Sequence, residues 1–212
     1  WGHFFLHWKA SSFTAFCQDH INGFVQLTGE ETPDRPSAHL LLAVSRRHIG
    51  YAEEMFERLK IQPDILQSEY LALYNYLGFE LDTEAQNGGG RPKATVLLDM
   101  GACGANLVIH SPRYLWAKYL GVGGHTFSRA LVREFHLTLE QAEQWKRSPS
   151  GVDRWSRWES TLGTVFETFS KEFNSALGAF SRDHPGEKIE RILVVGGGVQ
   201  TQGLLRYLRT GR

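Results

Sequence analysis

The run Leu97-Leu98-Asp99-Met100-Gly101-Ala102-Cys103-Gly104-Ala105-Asn106-Leu107-Val108 carries the strongest pattern in this sequence. Two apolar stretches of strand length flank a turn of small residues, and an aspartate closes the first stretch. A turn with so little side-chain bulk lets backbone N–H groups close on phosphate oxygens, while Asp99 can hold a hydrated divalent ion that bridges them. The same residues also describe a plain β-hairpin with Asp and Gly in its turn, and the stretch alone does not choose between the two.

Downstream, Tyr114 to Leu120 reads as a third strand, so an antiparallel meander begins here. Gly123-Gly124-His125-Thr126-Phe127-Ser128 follows it and opens a helix expected over Phe127 to Phe135. Thr138 with Gln141 three residues later is a capping signal for a further helix. On that helix Glu143 and Lys146 share one face, either as a solvated ion pair or as a grip on a ribose and a purine. Arg154 to Arg182 carries Leu162, Val165, Phe166, Phe169, Phe173, Ala176, Leu177 and Phe180 at helical spacing, which predicts one long helix with a continuous apolar face. His184-Pro185-Gly186 ends it, and Arg191 to Val195 is a strand feeding Gly196-Gly197-Gly198, with a helix over Thr201 to Leu208. Glycines between a strand and a helix admit close approach of a ligand, and the helix start favours anions; a tight connecting turn is the competing reading.

Upstream, Asn87-Gly88-Gly89-Gly90 and Pro92 form a linker, and the lobe boundary is expected over 87–93. Before it, Tyr70 to Leu81 predicts a helix with Leu73, Tyr74 and Leu77 as its stripe, and Asp64 to Leu66 a short strand. Arg47 to Leu59 repeats apolar residues at Ile49, Ala52, Met55, Phe56 and Leu59 and stops at Gln62-Pro63. Ala38 to Ser45 reads as a buried strand, Gly23 to Leu27 as another, and the aromatic-rich start as a short helix.

Composition narrows the function classes. Lys plus Arg and Asp plus Glu both total 23 in 212 residues, so no net field draws the chain to nucleic acid or to an anionic membrane. The apolar runs fall far short of the roughly 20 residues a membrane span needs, so membrane association would come through a partner. Two cysteines, Cys17 and Cys103, give neither a disulfide framework nor a ligand cluster, and a reducing compartment suits them. His3 and His7 have a metal-pair spacing but no acidic or thiol neighbour, and read as ordinary polar residues. Trp145, Trp155 and Trp158 bracket the loop 148–151 and either pack under helices or form an aromatic contact surface.

The order of these elements, from the Asp-Gly turn through Gly-Gly to Gly-Gly-Gly, resembles the actin, DnaK, MreB and FtsA superfamily, an α/β, ribonuclease H-like fold of two lobes. Asp99 to Val108 looks like its second phosphate loop, Gly123-Gly124 like its Gly-Gly step, Gly196 to Gly198 like its adenosine loop, and Glu143 with Lys146 like the adenosine-contacting Glu-x-x-Lys pair of bacterial members. Within that group, Leu120-Gly121-Val122-Gly123-Gly124-His125-Thr126-Phe127-Ser128-Arg129-Ala130-Leu131, Leu139 to Arg147 and Leu66 to Leu73 resemble the type IV pilus assembly family PilM, over roughly 38–208.

The resemblance implies a set of expectations. ATP and Mg²⁺ would be bound by Asp99, Gly101, Ala102, Cys103, Asn106, Gly123, Gly124, Glu143, Lys146, Gly196, Gly197 and Gly198, with Asp99 reaching the metal through water. Glu69 would sit near the γ-phosphate as the catalytic candidate. Residues 1–86 would be the remainder of a first lobe, incomplete at its N-terminus where the first phosphate loop belongs. That part would include an FtsA-like small subdomain at about 20–66 and the connecting helix, and 94–212 would be the second lobe. Cys103, Gly104 and Ala105 stand where active relatives carry Ser or Thr, so binding is expected ahead of hydrolysis. The expected role is a cytoplasmic scaffold at the inner membrane that docks the N-terminal peptide of a PilN-like membrane protein and links to pilus motor ATPases. The competing classes are a kinase or ATPase of the same fold, and an FtsA-type division or GspL-type secretion protein.

Overall fold

The computed structural model describes residues 20–26, 39–65, 67–90, 94–111, 114–150 and 152–210. The chain divides into two compact units, Trp1–Ala72 and Leu73–Arg212. The division falls inside a helix and upstream of the Gly-rich run at 87–90.

In the first unit, β1 (His20–Gln26) pairs antiparallel with β2 (His39–Ser45), Ile21 opposite Val44. Helix α1 (Arg46–Leu59) follows directly and ends at Lys60, whose left-handed backbone lets its N–H bond the carbonyls of Glu57 and Phe56. The apolar spacing predicted this helix, but none of its residues is fully buried. Ile49, Ala52 and Phe56 are half-buried, whereas Tyr51, Met55 and Leu59 face outward, so the periodic stripe is split between two faces. No strand forms at Asp64 and Ile65: Asp64 is a bend, and Ile65 is 79% exposed with no partner strand among the described residues; Leu66 lies outside them. The short helix expected in the first nineteen residues lies outside the described residues.

Helix α2 (Glu69–Gln86) runs further than the sequence pattern predicted and carries the chain into the second unit. There β3 (Ala94–Met100) pairs antiparallel with β4 (Ala105–His110), which pairs antiparallel with β5 (Leu115–Leu120). Helices α3 (Gly124–Phe135), α4 (Leu139–Arg147) and α5 (Trp155–Asp183) follow, then β6 (Ile189–Val195), a turn of 3-10 helix over Gly197–Gln200, and α6 (Leu204–Thr210). The sheet order is β5-β4-β3-β6, with β6 parallel to β3. A central strand covered on both faces should be apolar throughout, and in β3 only Asp99 is less than buried.

One face of the sheet, through Val96, Leu98, Met100, Leu107 and Ile109, packs against Phe127, Leu131, Leu162, Phe169 and Phe180 of the helices. The other face meets α2 at Leu77 and Leu81, with Leu97 between them. The α5 stripe predicted from spacing is the buried face: Leu162, Phe166, Phe169, Phe173, Ala176 and Phe180 are all enclosed. The helix stops at His184, because the following proline disfavours helical backbone in the residue before it.

This topology places three turns on one edge. Strands β3, β5 and β6 all run the same way, since β5 is antiparallel to the strand that is antiparallel to β3. Their C-terminal ends therefore share a sheet edge, and the turns 101–104, 121–124 and 196–198 leave from it. Ligands of open α/β sheets bind outside the carboxyl ends of the strands.

Candidate functional site

The turn after β3 closes on itself through Gly101 N–H to the Gly104 carbonyl, 2.9 Å. It also docks on the start of α3, where Gly124 N–H donates to the Gly101 carbonyl (2.9 Å) and His125 N–H to that of Ala102 (2.8 Å). Two orphan donors of a helix N-terminus are thus satisfied by loop carbonyls where a side-chain cap is usual. Gly123 is required by this contact. A Cβ there would lie 2.7 Å from the Ala102 oxygen and 2.7 Å from the Cys103 carbonyl carbon, and would collide with the Gly104 nitrogen. Among the described residues the N–H groups of Ala102 and Cys103 have no acceptor, and both residues are exposed. Two successive unbonded N–H groups in an exposed turn are available as donors to an anion.

Asp99 stands one residue before the end of β3, opposite Asn106 on β4 and Val195 on β6. The turn after β6 passes beside it: Gly196 adopts φ +93°, and a Cβ there would lie 2.5 Å from Asp99 Oδ1 and from the Met100 oxygen. Gly198 sits over Met100, where a Cβ would fall 2.9 Å from its carbonyl oxygen. At Gly124 the turns meet, since a Cβ there would be 3.6 Å from the Gly101 oxygen, 3.6 Å from Gly198 Cα and 3.5 Å from Lys146 Nζ.

Glu143 and Lys146, read from sequence as an i, i+3 pair, have unequal surroundings. Helix α4 is fixed at its start by the expected capping box, Thr138 accepting from Gln141 N–H and Gln141 returning the bond to Thr138 N–H. Its far end carries Lys146 inward, with a side chain only 4% exposed. The ammonium donates to Glu143 Oε1 (2.7 Å), Ser128 Oγ (3.0 Å) and the Gly124 carbonyl (3.2 Å), so its three protons are engaged. Glu143 keeps 30% of its side chain exposed. Burial works to raise its pKa, but hydrogen bonds from Lys146 and Ser128 and the charges of Lys146 and Arg147 outweigh it, and the carboxyl titrates below its usual 4.5.

The structure thus gathers Asp99, Gly101, Ala102, Cys103, Asn106, Gly123, Gly124, Glu143, Lys146 and Gly196 to Gly198 at one end of the second unit. Glu69 opens α2 on the first unit's side of the division at Ala72. Sequence reasoning gave no role to Ser128, whose hydroxyl bonds Lys146 and Glu143, or to Gln202, whose N–H donates to the Lys146 carbonyl at 2.8 Å. The only available signal was that Ser128 lies one helical turn after Gly124.

The three tryptophans differ in exposure. Trp158 is buried, Trp145 is packed edge-on against Phe135, and Trp155 stacks on Trp158 while 46% exposed. Among the described residues no group of three His, Cys, Asp or Glu side chains could hold a metal ion, so a divalent cation at Asp99 would rely on phosphate oxygens and water. No described helix is long and apolar enough to cross a membrane. In the first unit, the outward stripe of α1 presents Tyr51, Met55 and Leu59 as an open, exposed apolar face with Glu54 and Arg58 beside it.

A family model described as type IV pilus assembly protein PilM matches residues 7–211, reaching well upstream of the segment that carries the sequence resemblance. Among solved structures, a PilM-PilN type IV pilus biogenesis complex aligns with a TM-score of 0.74 at 23% identity, over 95% of this chain and 56% of that one. This chain therefore spans little more than half the length of that relative, and the α/β fold expected from the actin-like resemblance is the fold of that chain. MreB 5 of Spiroplasma citri bound to AMPPNP aligns at TM-score 0.44 and 14% identity, over 85% of this chain and 73% of that one. The archaeal actin homolog Ta0583 aligns at 0.42 and 15%, over 64% and 46%, and both are too distant to add to the assignment. A search of curated proteins finds no match. With the family model covering nearly the whole sequence, the chain belongs to the type IV pilus assembly protein PilM family.

Proposed function

We propose that this chain is an ATP-binding scaffold of the type IV pilus inner-membrane assembly platform, held on the cytoplasmic side of the membrane through its partners. The observation that carries the nucleotide reading is the meeting of three Gly-rich turns at Gly124, beside the unbonded N–H groups of Ala102 and Cys103. In this reading the N–H groups of Ala102 and Cys103 hold phosphate oxygens, Gly101 keeps the turn closed beside them, and Asp99 with Asn106 orders the water around Mg²⁺. The turn 196–198 gives the adenosine a backbone surface, and the half-exposed carboxylate of Glu143 accepts from the ribose while Lys146 holds that carboxylate in place. Bound Mg²⁺ would neutralise phosphate charge.

Cys103, Gly104 and Ala105 offer no hydroxyl to orient an attacking water. The nucleotide accordingly acts as a ligand whose occupancy shifts a conformational equilibrium.

The partner proposed is the N-terminal peptide of a PilN-like membrane protein, with the motor ATPases further along the assembly. A short peptide needs an apolar surface with few charges, and Tyr51, Met55 and Leu59 present one, flanked by Glu54 and Arg58. Titrating such a peptide into the full-length protein, with and without ATP, tests both parts. Saturable binding that ATP changes is the expected result; absence of peptide binding under both conditions would rule out the docking role.

A further inference from the structure

We infer that Ser128 is a positioning residue, which through Lys146 fixes the distance between the phosphate-side turn 101–104 and the adenosine-side turn 196–198. The inference rests on the nucleotide-binding reading above for its functional consequence, but not for its geometry.

A buried ammonium is costly unless its protons are satisfied, and here the acceptors come from three places. Gly124 supplies a carbonyl at the start of α3, Ser128 a hydroxyl one turn further on, and Glu143 a carboxylate on α4. The Ser128 hydroxyl accepts from Lys146, and its own proton can go to Glu143 Oε1 or to the Gly124 carbonyl 3.1 Å away. It therefore adds a second link between the two charged partners and the helix start, beside the direct bond from Lys146 to the Gly124 carbonyl. Gly124 N–H in turn holds the Gly101 carbonyl, so the pin reaches the phosphate side. The Lys146 carbonyl accepts from Gln202 N–H, so the same residue reaches the segment after the Gly-rich turn. Glu143 is the member of the set with an exposed carboxylate, so a ligand hydroxyl bound there is linked to both turns through Lys146.

Removing the hydroxyl leaves Lys146 short of one acceptor while its charge stays buried. Ser128→Ala in the full-length protein should weaken binding of a fluorescent ATP analogue by about tenfold, the scale of one hydrogen bond to a charged group. Ser128→Thr keeps the hydroxyl and should stay within about threefold of wild type, a rescue that a loss of packing alone would not produce. Amide exchange followed by NMR gives a readout without nucleotide: the Gly124 and Gln202 amides should exchange faster in Ser128→Ala and at the wild-type rate in Ser128→Thr. If Ser128→Ala does not fold, Ser128→Cys, a weaker acceptor, should show a partial change in both readouts. Wild-type affinity and wild-type exchange in Ser128→Ala would overturn the inference, as would equal loss in Ala and Thr variants. If the wild-type protein binds no ATP, the nucleotide reading falls, while the exchange rates still decide the positioning role.

Discussion

Gly123→Ala should be among the most destabilising single-methyl additions in the second unit. The added Cβ would lie 2.7 Å from the Ala102 oxygen and from the Cys103 carbonyl carbon, and would collide with the Gly104 nitrogen, all of them backbone atoms that cannot rotate away. The turn would have to lift off α3, loosening the bonds from Gly124 N–H to Gly101 and from His125 N–H to Ala102. Two weakened hydrogen bonds and the overpacking strain together come to about 2–4 kcal/mol. Gly121→Ala is the natural comparison, because a Cβ there meets nothing within 4 Å. Urea unfolding followed by tryptophan fluorescence should give a clearly lower midpoint for Gly123→Ala and a nearly unchanged one for Gly121→Ala. Equal midpoints would refute the docking of the turn on the helix.

Glu143 gives a pH prediction. Its folded-state pKa lies below the unfolded value, so its stabilisation is complete above the usual 4.5 and drains away as pH falls through the lowered value. Glu143→Gln should flatten that acid loss in stability measured across pH, and should lower stability at neutral pH by leaving the Lys146 charge without its counter-ion. Phe169→Ala, at a fully buried ring on α5, should cost about 3–5 kcal/mol in the same urea assay. Met55→Ser on the outward face of α1, half-exposed in the free chain, should change stability by no more than about 0.5 kcal/mol yet weaken PilN-like peptide binding in fluorescence titration.

The sequence disclosed whatever was local. The β3–β4 hairpin, the α5 stripe and the capping box at Thr138 each depend on neighbours within a few residues, and each appears where the spacing placed it. The order of the three Gly-rich turns was legible too. Their meeting at Gly124 was not, because it depends on β6 returning beside β3 across nearly ninety intervening residues. Lys146 shows the limit most clearly. An i, i+3 pair reads the same whether solvated or enclosed, and only the packing of α4 on α3 buries this ammonium against Ser128. On α1 the helical period was real but burial was divided, so Met55 and Leu59, which spacing alone would put inside, form the outer face. Ile65 has no strand neighbour among the described residues, which apolar character alone could not reveal.

Calorimetric titration of ATP with Mg²⁺ into the full-length protein, beside a Gly196→Ala variant, decides whether the three turns hold a nucleotide. Gly196 has φ +93°, and a Cβ there would press to 2.5 Å on Asp99 Oδ1. Saturable one-site binding by the wild-type protein and at least about tenfold weaker binding by Gly196→Ala are expected. No heat of binding from the wild-type protein, or equal affinity in the two, would contradict nucleotide binding at the turns.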